Sequence, residues 1–362
     1  MSSSASGKAS TLCQVLSSAE EILLVTHYHP DPDALASAAG LAHLLSTTLD
    51  KRTIITVSGE IGRAENRAVV ELLELDLVPI EEVLPNPKAA VVLVDTQSGR
   101  ANNPLQADDV PAAIIDHHPD WGENDAVPFV DLRPGYGATA TIVTQYFQDL
   151  EVFIPPSLAT ALFYGISSET QRLARETSAA DIVAAQFLFP YVDKRLLGTI
   201  QAPAQPKAHF VMIAEAVRNT LLWDDVAITL VEELPYADAA GEIADLMIRL
   251  DSATWAVCVG CRGDDLIVSA RTSEPGAEAG RLLASVFPAG SAGGHSMTAG
   301  GKSPLAGAAW MLAARDFVAR LLRKLSRRGE SVSALAPDPS PRICLLLDEL
   351  PEALASEPPA QV

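Results

Sequence analysis

The first 131 residues alternate between short apolar runs and stretches of helical spacing. The runs EILLVTH, RTIITVSG, AAVVLVDT, AAIIDHH and AVPFVDL are each followed by polar or turn residues. Because apolar residues follow one another in these runs without polar alternation, we predict strands that are covered on both faces. Such strands are typical of a parallel sheet with helices on both faces, so the pattern predicts an α/β fold.

The spacing changes after this region. Residues 137–222 place apolar side chains three or four apart, which predicts helices. The stretch QAPAQPK at 201–207 holds two prolines and few apolar residues and is our candidate linker. Beyond it DVAITLVEEL, TWAVCVGC and DLIVSART predict a smaller α/β domain, and the chain closes with a Pro-, Ala-, Ser- and Glu-rich tail that we expect to be disordered outside ICLLLDEL. The predicted boundaries are 1–200 for the first domain, 201–222 for the connection, 223–329 for the second domain and 330–362 for the tail.

Size and charge limit the possible functions. With 362 residues, of which 48% are hydrophobic, the chain can bury two cores. A net charge of −20 argues against a protein that coats long nucleic acid, since such binding depends on Lys and Arg that neutralise phosphates. The basic stretch RLLRKLSRRGE lies where a helix dipole favours cations, so a solvated helix end is preferred over a nucleic-acid contact. A short phosphate-bearing substrate remains compatible with the charge.

The cysteines and the N-terminal residues bear on the cellular location of the protein. Four cysteines in a chain of this length do not form a disulfide framework. Cys258 and Cys261 form a CxxC inside an apolar run, without a second pair or a nearby histidine, and we expect a buried strand there rather than a zinc site. The sequence shows neither a signal-peptide h-region nor an apolar segment of membrane-spanning length. We therefore expect a soluble cytoplasmic protein.

The stretch VTHYHPDPDALASAAG offers the clearest candidate chemistry. His27, Asp31 and Asp33 follow an apolar strand and precede a helix rich in Ala and Leu. The intervening prolines keep the loop extended, so that the three side chains can turn toward one point. Carboxylates together with imidazole suit a divalent metal of the Mn²⁺ class. Asp33 has the alternative role of capping the following helix.

Further ligand-type residues end the neighbouring predicted strands. Asp95 ends AAVVLVD, the run Asp116-His117-His118 ends AAIID, and Asp131 lies near the end of AVPFVDL. In open α/β sheets, ligands bind in the crevice beyond the carboxyl ends of the strands. As a set these residues predict a metal site. Two ions about 3.5–4 Å apart could share a carboxylate, activate a bridging water and stabilise an in-line displacement at phosphorus.

Six motifs together resemble those of the DHH phosphoesterase superfamily: HYHPDPDALAS, LVDT, IDHHPD, GATAT, YGISSET and GGHSMTAGG. The resemblance is greatest to the RecJ-like branch of nanoRNase/pAp phosphatases and cyclic-dinucleotide phosphodiesterases. It implies a parallel-sheet DHH domain that holds the metals and a smaller C-terminal DHH-associated domain that binds substrate.

The resemblance also implies two sets of metal ligands. The family usually has Asp where this chain has Glu169, and the longer side chain moves the carboxylate outward by about 1.5 Å. Glu169 is therefore either a displaced ligand or a lost one. The implied ligands are His27, Asp31 and Asp95 for the first ion, and Asp33, Asp95, His117 and Glu169 for the second.

Other residues would contact the substrate or support the ligands. By resemblance His118 faces the scissile phosphate, and Asp116 supports the histidines from behind. In the second domain the resemblance implies a substrate clamp that includes Arg271. A family run of four glycines is replaced here by GSAGG, whose small residues keep room for backbone N–H groups near an anion; an ordinary loop is the alternative. The implied clamp residues are Arg271, Gly293, Gly294 and His295.

These expectations define a function and its alternatives. We expect a hydrolase that uses two Mn²⁺ ions, with Mg²⁺ or Co²⁺ as substitutes, to cut phosphate esters in short oligonucleotides or small nucleotides. Cyclic-dinucleotide hydrolysis is the alternative reaction, and a nucleotide-binding module with impaired turnover is the alternative class. Neither a membrane nor a long duplex is an expected partner, and a homodimer is compatible with the sequence.

Overall fold

A six-stranded parallel sheet lies at the centre of the first of two units in the computed structural model of the chain. The units are Met1–Ala204 and Gln205–Val362. None of the helices within the described residues combines the length and apolar content that a membrane crossing requires. The structure describes residues 7–99, 102–106, 108–120, 122, 124–174, 177–288, 291–294 and 296–355.

The strands of the first unit pair in the order β3-β2-β1-β4-β5-β6, and every pair is parallel. The strands are β1 Glu21–Val25, β2 Arg52–Val57, β3 Leu77–Pro79, β4 Ala89–Val94, β5 Ala113–Asp116 and β6 Phe129–Leu132. The helices are α1 Lys8–Leu16, α2 Pro32–Leu49, α3 Ala64–Leu72, α4 Ile80–Val83, α5 Thr139–Leu150, α6 Pro156–Glu169, α7 Ala179–Leu188 and α8 Lys194–Gln201, with a 3₁₀ turn at Phe189–Tyr191.

The order of the strands reverses direction between β1 and β4. The chain adds β2 and β3 on one side of β1 and then returns to add β4, β5 and β6 on the other. Val25 is paired with Leu93, and Val94 with Ile115. This register brings the residues that follow β1, β4 and β5 side by side at one edge. Such a reversal is where open α/β sheets form ligand-binding crevices.

Both faces of this sheet are covered. Ile22, Leu24 and Val92 are buried in the core formed with α2, α5 and α6. Leu23 and Leu93, which alternate with them along the strands, are buried on the opposite face. The continuous apolar runs thus correspond to strands with two buried faces, and the predicted α/β fold is confirmed.

The second unit contains a mixed seven-stranded sheet in the order β11-β12-β10-β9-β8-β7-β13. Strands β8 and β9 are parallel, and the remaining pairs are antiparallel. Cys258 and Cys261 both lie in β9, where Cys258 is buried. The strands are β7 Thr220–Trp223, β8 Val226–Val231, β9 Trp255–Arg262, β10 Asp265–Thr272, β11 Ala292–Gly294, β12 Thr298–Pro304 and β13 Val332–Ala334. The helices are α9 Lys207–Arg218, α10 Ala239–Met247, α11 Ala279–Ala284, α12 Trp310–Lys324 and α13 Pro341–Ala355.

The C-terminal segment is ordered beyond ICLLLDEL, the stretch that we exempted from the expected disorder. It contains the edge strand β13 and the helix α13, and the described residues end at 355. Ile343, Leu346 and Leu350 are buried in the core of the second unit. Their spacing of three and four residues places them on one face of the helix. These three residues lie within ICLLLDEL and pack the helix against the core of the second unit.

The packing of α13 predicts different effects for two adjacent leucines. Leu346 is 1% exposed, whereas Leu345 is 44% exposed. Leu346→Ala should lower the free energy of unfolding of the second unit by about 2–5 kcal/mol, because it leaves a cavity in the core. Leu345→Ala should change it by less than about 0.5 kcal/mol. Urea denaturation followed by tryptophan fluorescence measures both, and equal effects would contradict the docking of α13.

Candidate metal centre

Asp95 is the central carboxylate of the site. It directly follows β4, is 3% exposed, and adopts a left-handed backbone conformation with φ 61°. Asp tolerates this conformation better than most residues, although it still costs energy. The Asp95 N–H donates to the carbonyl of Ile115 at 2.9 Å, and the Thr139 hydroxyl donates to Asp95 Oδ1 at 2.8 Å. Strand β5 and the start of α5 therefore hold this carboxylate at the edge of the sheet.

Two histidines face Asp95 in the same manner. His27 Nε2 lies 3.5 Å from Asp95 Oδ2, and His117 Nε2 lies 3.6 Å from Oδ1. The other ring nitrogen of each histidine contacts a backbone carbonyl: His27 Nδ1 donates to Tyr28 O at 2.9 Å, and His117 Nδ1 donates to Tyr136 O at 3.2 Å. A histidine that donates through Nδ1 carries its lone pair on Nε2 when it is neutral, as metal-ligating histidines commonly do.

The lone pairs and charges of these three side chains indicate whether a cation fits the site. Two imidazole lone pairs and a carboxylate directed at one another repel unless protons or a cation lie among them. Oxygen and imidazole nitrogen are also the donor types that Mn²⁺ and related divalent ions accept. The donor set therefore fits a divalent metal.

Asp31 joins this cluster from the loop before α2. One ligand atom each from His27, Asp31 and Asp95 lies within 4.8 Å of the other two. Asp31 is also the N-cap of α2, because its Oδ1 accepts the N–H groups of Asp33 at 2.9 Å and Ala34 at 3.0 Å. Both bonds use Oδ1, so Oδ2 is the oxygen left to meet a cation. The same side chain thus begins the helix and contributes to the site.

A second group lies on the other side of Asp95. It consists of Asp95, Asp116, His117 and His118, whose candidate ligand atoms also lie within 4.8 Å of one another. His118 Nδ1 donates to Asp116 Oδ1 at 2.8 Å and lies 3.8 Å from Asp95 Oδ1. Asp95 is the member that both groups share, which is the geometry expected of a bridging carboxylate.

Asp33 has a different environment from the one expected of a simple cap on α2. It is 1% exposed and its carboxylate accepts the N–H groups of Thr139 at 2.7 Å and Ala140 at 2.8 Å. These are the first two residues of α5, so Asp33 caps α5 while Asp31 caps α2. Burial, together with the nearby charge of Asp95, raises the pKa of Asp33 well above its usual value. Within the described part of the chain Asp33 belongs to neither ligand group, and its ligation stays a prediction.

Glu169 is the last residue of α6. Burial and the negative charges of Asp31 and Asp95 raise its pKa to about 7, so it lies within electrostatic reach of the cluster. Among the residues that the structure describes, it is not in either group of closely spaced ligand atoms. The next residues Gln171, Arg172 and Leu173 all have positive φ, at 47°, 63° and 61°. Sequence reasoning missed this left-handed turn, since none of the three is Gly, Asn or Asp.

The histidines take up protons in the metal-free protein. Burial alone would lower the pKa of His27, but its hydrogen bond to Asp95 and the charges of Asp31 and Asp95 outweigh burial and raise it to about 10. His117 shows the same balance, and its pKa is raised to about 9. For Asp95, burial is outweighed by His27, His117 and His118, which together lower its pKa. Protons therefore supply the positive charge when no metal is bound.

Asp131 does not join the other strand-end acids. It is buried in β6, where its Oδ2 accepts Arg133 Nη2 at 2.7 Å and the Tyr146 hydroxyl at 2.6 Å. An arginine two residues further along the chain thus neutralises it. The expectation that Asp131 contributes to the metal set is wrong, and the nearby arginine was the signal against it.

The predicted clamp residues lie in the second unit. Arg271 in β10 donates through Nε to Asp245 Oδ1 at 2.5 Å and through Nη1 to Ser269 Oγ at 2.8 Å. Gly293 and Gly294 lie in β11, and a Cβ on Gly294 would collide with the backbone of Thr298. Packing against β12 therefore requires glycine at 294, whereas no atom of the described residues lies within 4 Å of a Cβ built on Gly293. His295 lies outside the described residues.

The family assignment rests on a direct match. Residues 21–166 match the DHH family, N-terminal domain, and this stretch contains the parallel sheet and the residues around Asp95. The chain therefore carries a DHH domain over these residues, as the motifs predicted.

Individual relatives extend the comparison. An uncharacterised protein of Methanocaldococcus jannaschii is 34% identical over 81% of this chain and 61% of its own length. A probable bifunctional oligoribonuclease and PAP phosphatase of Streptococcus mutans is 25% identical over 49% of this chain and 55% of its own length. A probable manganese-dependent inorganic pyrophosphatase of Streptococcus agalactiae is 28% identical over 46% of this chain and 54% of its own length. The chain thus spans less than two thirds of each of these relatives.

A solved structure shares the fold. The exopolyphosphatase-related protein from Bacteroides fragilis superimposes with a TM-score of 0.69 over 88% of this chain and 96% of its own, at 16% identity. At that identity the likeness establishes the architecture and leaves the activity open.

The shared position of Asp95 predicts that its charge controls metal binding. Asp95→Asn should weaken Mn²⁺ binding by more than the roughly 10- to 100-fold typical of residues that only support a ligand. Asn also tolerates positive φ, so the substitution removes charge without adding backbone strain. Asp50→Asn is the matched control, because Asp50 is an exposed residue with φ 52° at the end of α2. Calorimetric titration measures both, and similar losses in the two variants would contradict the assignment.

The raised histidine pKa values predict pH-dependent metal binding. Because His27 and His117 have pKa values of about 10 and about 9 in the metal-free protein, both rings are protonated at neutral pH and a metal must displace their protons. Apparent affinity should then rise by about tenfold per pH unit for each displaced proton between pH 6 and 8. Titrations in buffers of different ionisation enthalpy count the protons. An affinity that does not change with pH would show that these rings are not displaced.

Proposed function

We propose that this chain is a metal-dependent phosphoesterase that hydrolyses phosphate esters of short oligonucleotides or small nucleotides. One observation carries the proposal: the Nε2 atoms of His27 and His117 face the single carboxylate of Asp95 from two sides. Two groups of ligand-type side chains that share one buried acid suit a pair of divalent ions. The DHH match and the hydrolase relatives support the same class.

Different residues of the chain would hold the two ions. His27, Asp31 and Asp95 would hold one ion, and Asp95 with His117 would hold the other, aided by Asp33 and Glu169. Such ions, when bound, lower the pKa of water and offset charge on phosphoryl oxygens. Manganese is the favoured ion because the donors are mixed oxygen and imidazole, and one relative is named as manganese-dependent.

His118 would act on the substrate rather than only on a metal. Its Nδ1 donates to Asp116, and Nε2 is the ring nitrogen that we propose meets a phosphoryl oxygen. A protonated His118 would stabilise negative charge that develops there during the reaction. The proposed substrate contacts, on the resemblance of their motifs, are Arg271, Gly293, Gly294 and His295.

Charge and similarity favour a short nucleotide substrate. A net charge of −20 disfavours a surface that tracks a long nucleic acid. The Streptococcus mutans relative is named for oligoribonuclease and PAP phosphatase activity. Cyclic-dinucleotide hydrolysis is the alternative reaction within the same chemistry. A nucleotide-binding module with impaired turnover is favoured by one specific feature, the Glu at position 169.

The proposal predicts Mn²⁺-dependent turnover of a defined panel. Purified full chain should release phosphate or mononucleotides from pAp or from RNA of two to five nucleotides. The rate should fall with increasing length, since an acidic chain offers few contacts to further phosphates. Cyclic dinucleotides, matched DNA and pyrophosphate complete the panel, with chelated protein as the blank. Asp95→Asn should reduce the rate to the blank, while Asp50→Asn should retain it.

The same panel separates the enzyme from the binding module. Absence of turnover in the wild type, together with nucleotide binding by calorimetry, would overturn the enzyme proposal. Glu169→Asp then tests the cause, because it restores the residue usual in the family. If Glu169 limits the second ion, the Asp variant should bind a second Mn²⁺ more tightly and gain turnover. If Glu169 is itself a ligand, the same variant should lose both.

A further inference from the structure

Gln97 lies behind the Asp116-His117-His118 segment and is 1% exposed. Its Nε2 donates to Asp116 Oδ2 at 2.7 Å and to the carbonyl of Pro119 at 3.0 Å. Its Oε1 accepts Asn124 Nδ2 at 3.2 Å. A buried carboxamide that uses donors and acceptor in this way is held in one orientation.

The neighbours of Gln97 decide which end of its amide faces Asp116. The carboxylate of Asp116 and the carbonyl of Pro119 can only accept hydrogen bonds, so the NH₂ group must lie on their side. The NH₂ group of Asn124 then meets the oxygen. The hydrogen-bond partners thus assign which end of the Gln97 amide is the NH₂ group and which is the oxygen.

The two oxygens of Asp116 serve different partners. Gln97 occupies Oδ2, and His118 occupies Oδ1 through both its ring Nδ1 at 2.8 Å and its backbone N–H at 3.2 Å. Because Gln97 fixes the plane of the carboxylate, Oδ1 is presented to the His118 ring in a defined direction. A ring that donates through Nδ1 keeps its Nε2 directed away from Asp116.

We propose that Gln97 is a positioning residue that, through Asp116, sets the tautomer and direction of the His118 ring. Its consequence for catalysis rests on the proposed phosphoesterase function, in which His118 meets the phosphate. The effect on the ring itself does not depend on that function. Gln97 directly follows the LVDT motif. The motif alone indicates no role for it, because its side-chain partners Asp116 and Asn124 lie 19 and 27 residues further along the chain.

The loop that carries Gln97 supplies a matched control. Asn103 is also buried, at 5% exposed, and its Nδ2 donates to the backbone carbonyl of Gln97 at 2.8 Å and to Thr96 Oγ1 at 3.1 Å. These bonds hold the same loop without involving the side chain of Asp116. Gln97→Met and Asn103→Leu each replace a buried amide by an apolar side chain of similar size. A purely structural role predicts similar consequences for both.

The first readout needs no activity. Nitrogen-15 NMR of the imidazole rings in chelated protein, at a pH where the His118 ring is neutral, reports its tautomer, and a His118→Gln variant assigns the signal. The wild type and Asn103→Leu should show the Nδ1–H form. Gln97→Met should show a mixture of the two tautomers, because the carboxylate of Asp116 can then rotate.

The second readout is turnover of the best substrate of the panel with Mn²⁺. Gln97→Met should lower kcat by about 10- to 100-fold, the range typical of residues that orient a functional histidine. KM and the affinity for the first Mn²⁺ should change little, since Asp116 does not belong to the group of His27, Asp31 and Asp95. Asn103→Leu should lower kcat far less. This separation between kcat and KM is not expected from loosening of the loop alone.

Several results would overturn the inference. They are an unchanged His118 tautomer in Gln97→Met, or equal losses of kcat in Gln97→Met and Asn103→Leu. If Gln97→Met does not fold, Gln97→Asn keeps a carboxamide but withdraws it from Asp116 by one methylene, and an unchanged tautomer in this variant has the same meaning. A wild type without turnover would refute the phosphoesterase proposal, while the NMR comparison would still decide the role of Gln97.

Discussion

The carboxylate of Asp95 is buried at the edge of the sheet and needs positive charge beside it. Moving an ionised carboxylate out of water is costly unless cations and hydrogen bonds replace the lost hydration. Here His27 and His117 supply that charge when protonated, and Thr139 supplies a hydrogen bond. These three groups come from the ends of β1 and β5 and from the start of α5. The requirement of one acid therefore draws three parts of the first unit together.

The acids of the HYHPDPD loop connect the same site to the helices. Asp31 accepts the first amides of α2, and Asp33 accepts the first amides of α5. Helix N-termini favour negative charge, because their amides are unpaired and the helix dipole is positive there. The two helices thereby help to keep two carboxylates near a third. Under the proposed function, metal binding and the packing of α2 and α5 would depend on the same side chains.

Sequence reasoning predicted the parts of this site that follow from periodic patterns of apolar residues. The apolar runs located β1, β4 and β5, and the parallel order then placed His27, Asp95 and His117 at one edge. It missed α1, since the short segment KASTLCQVL follows a polar N-terminus, and it missed β3, which has only three residues. It also grouped Asp131 with the metal set, although a local arginine pairs with it.

Sequence reasoning could not predict contacts between side chains that are far apart in the sequence. Nothing in the spacing of LVDTQ indicates that Gln97 meets Asp116 and Asn124, because such contacts depend on how two loops cross after the sheet has formed. The capping of α5 by Asp33 is of the same kind, since 106 residues separate the two partners. Periodicity predicts elements and their buried faces. It carries no information on which buried polar groups satisfy one another.

The protonation of Glu169 would differ between the metal-free site and a site that holds a divalent cation. Burial and the nearby acids Asp31 and Asp95 raise its pKa to about 7, so near neutral pH the metal-free site keeps a proton on Glu169 in part of the molecules. A divalent cation beside these acids would reverse the balance, because it favours the ionised form of every carboxylate around it. Ligation by Glu169 is then coupled to loss of its proton. A longer side chain at this position would alter its reach, and its half-buried place beside these acids would make its charge follow the occupancy of the proposed metal site.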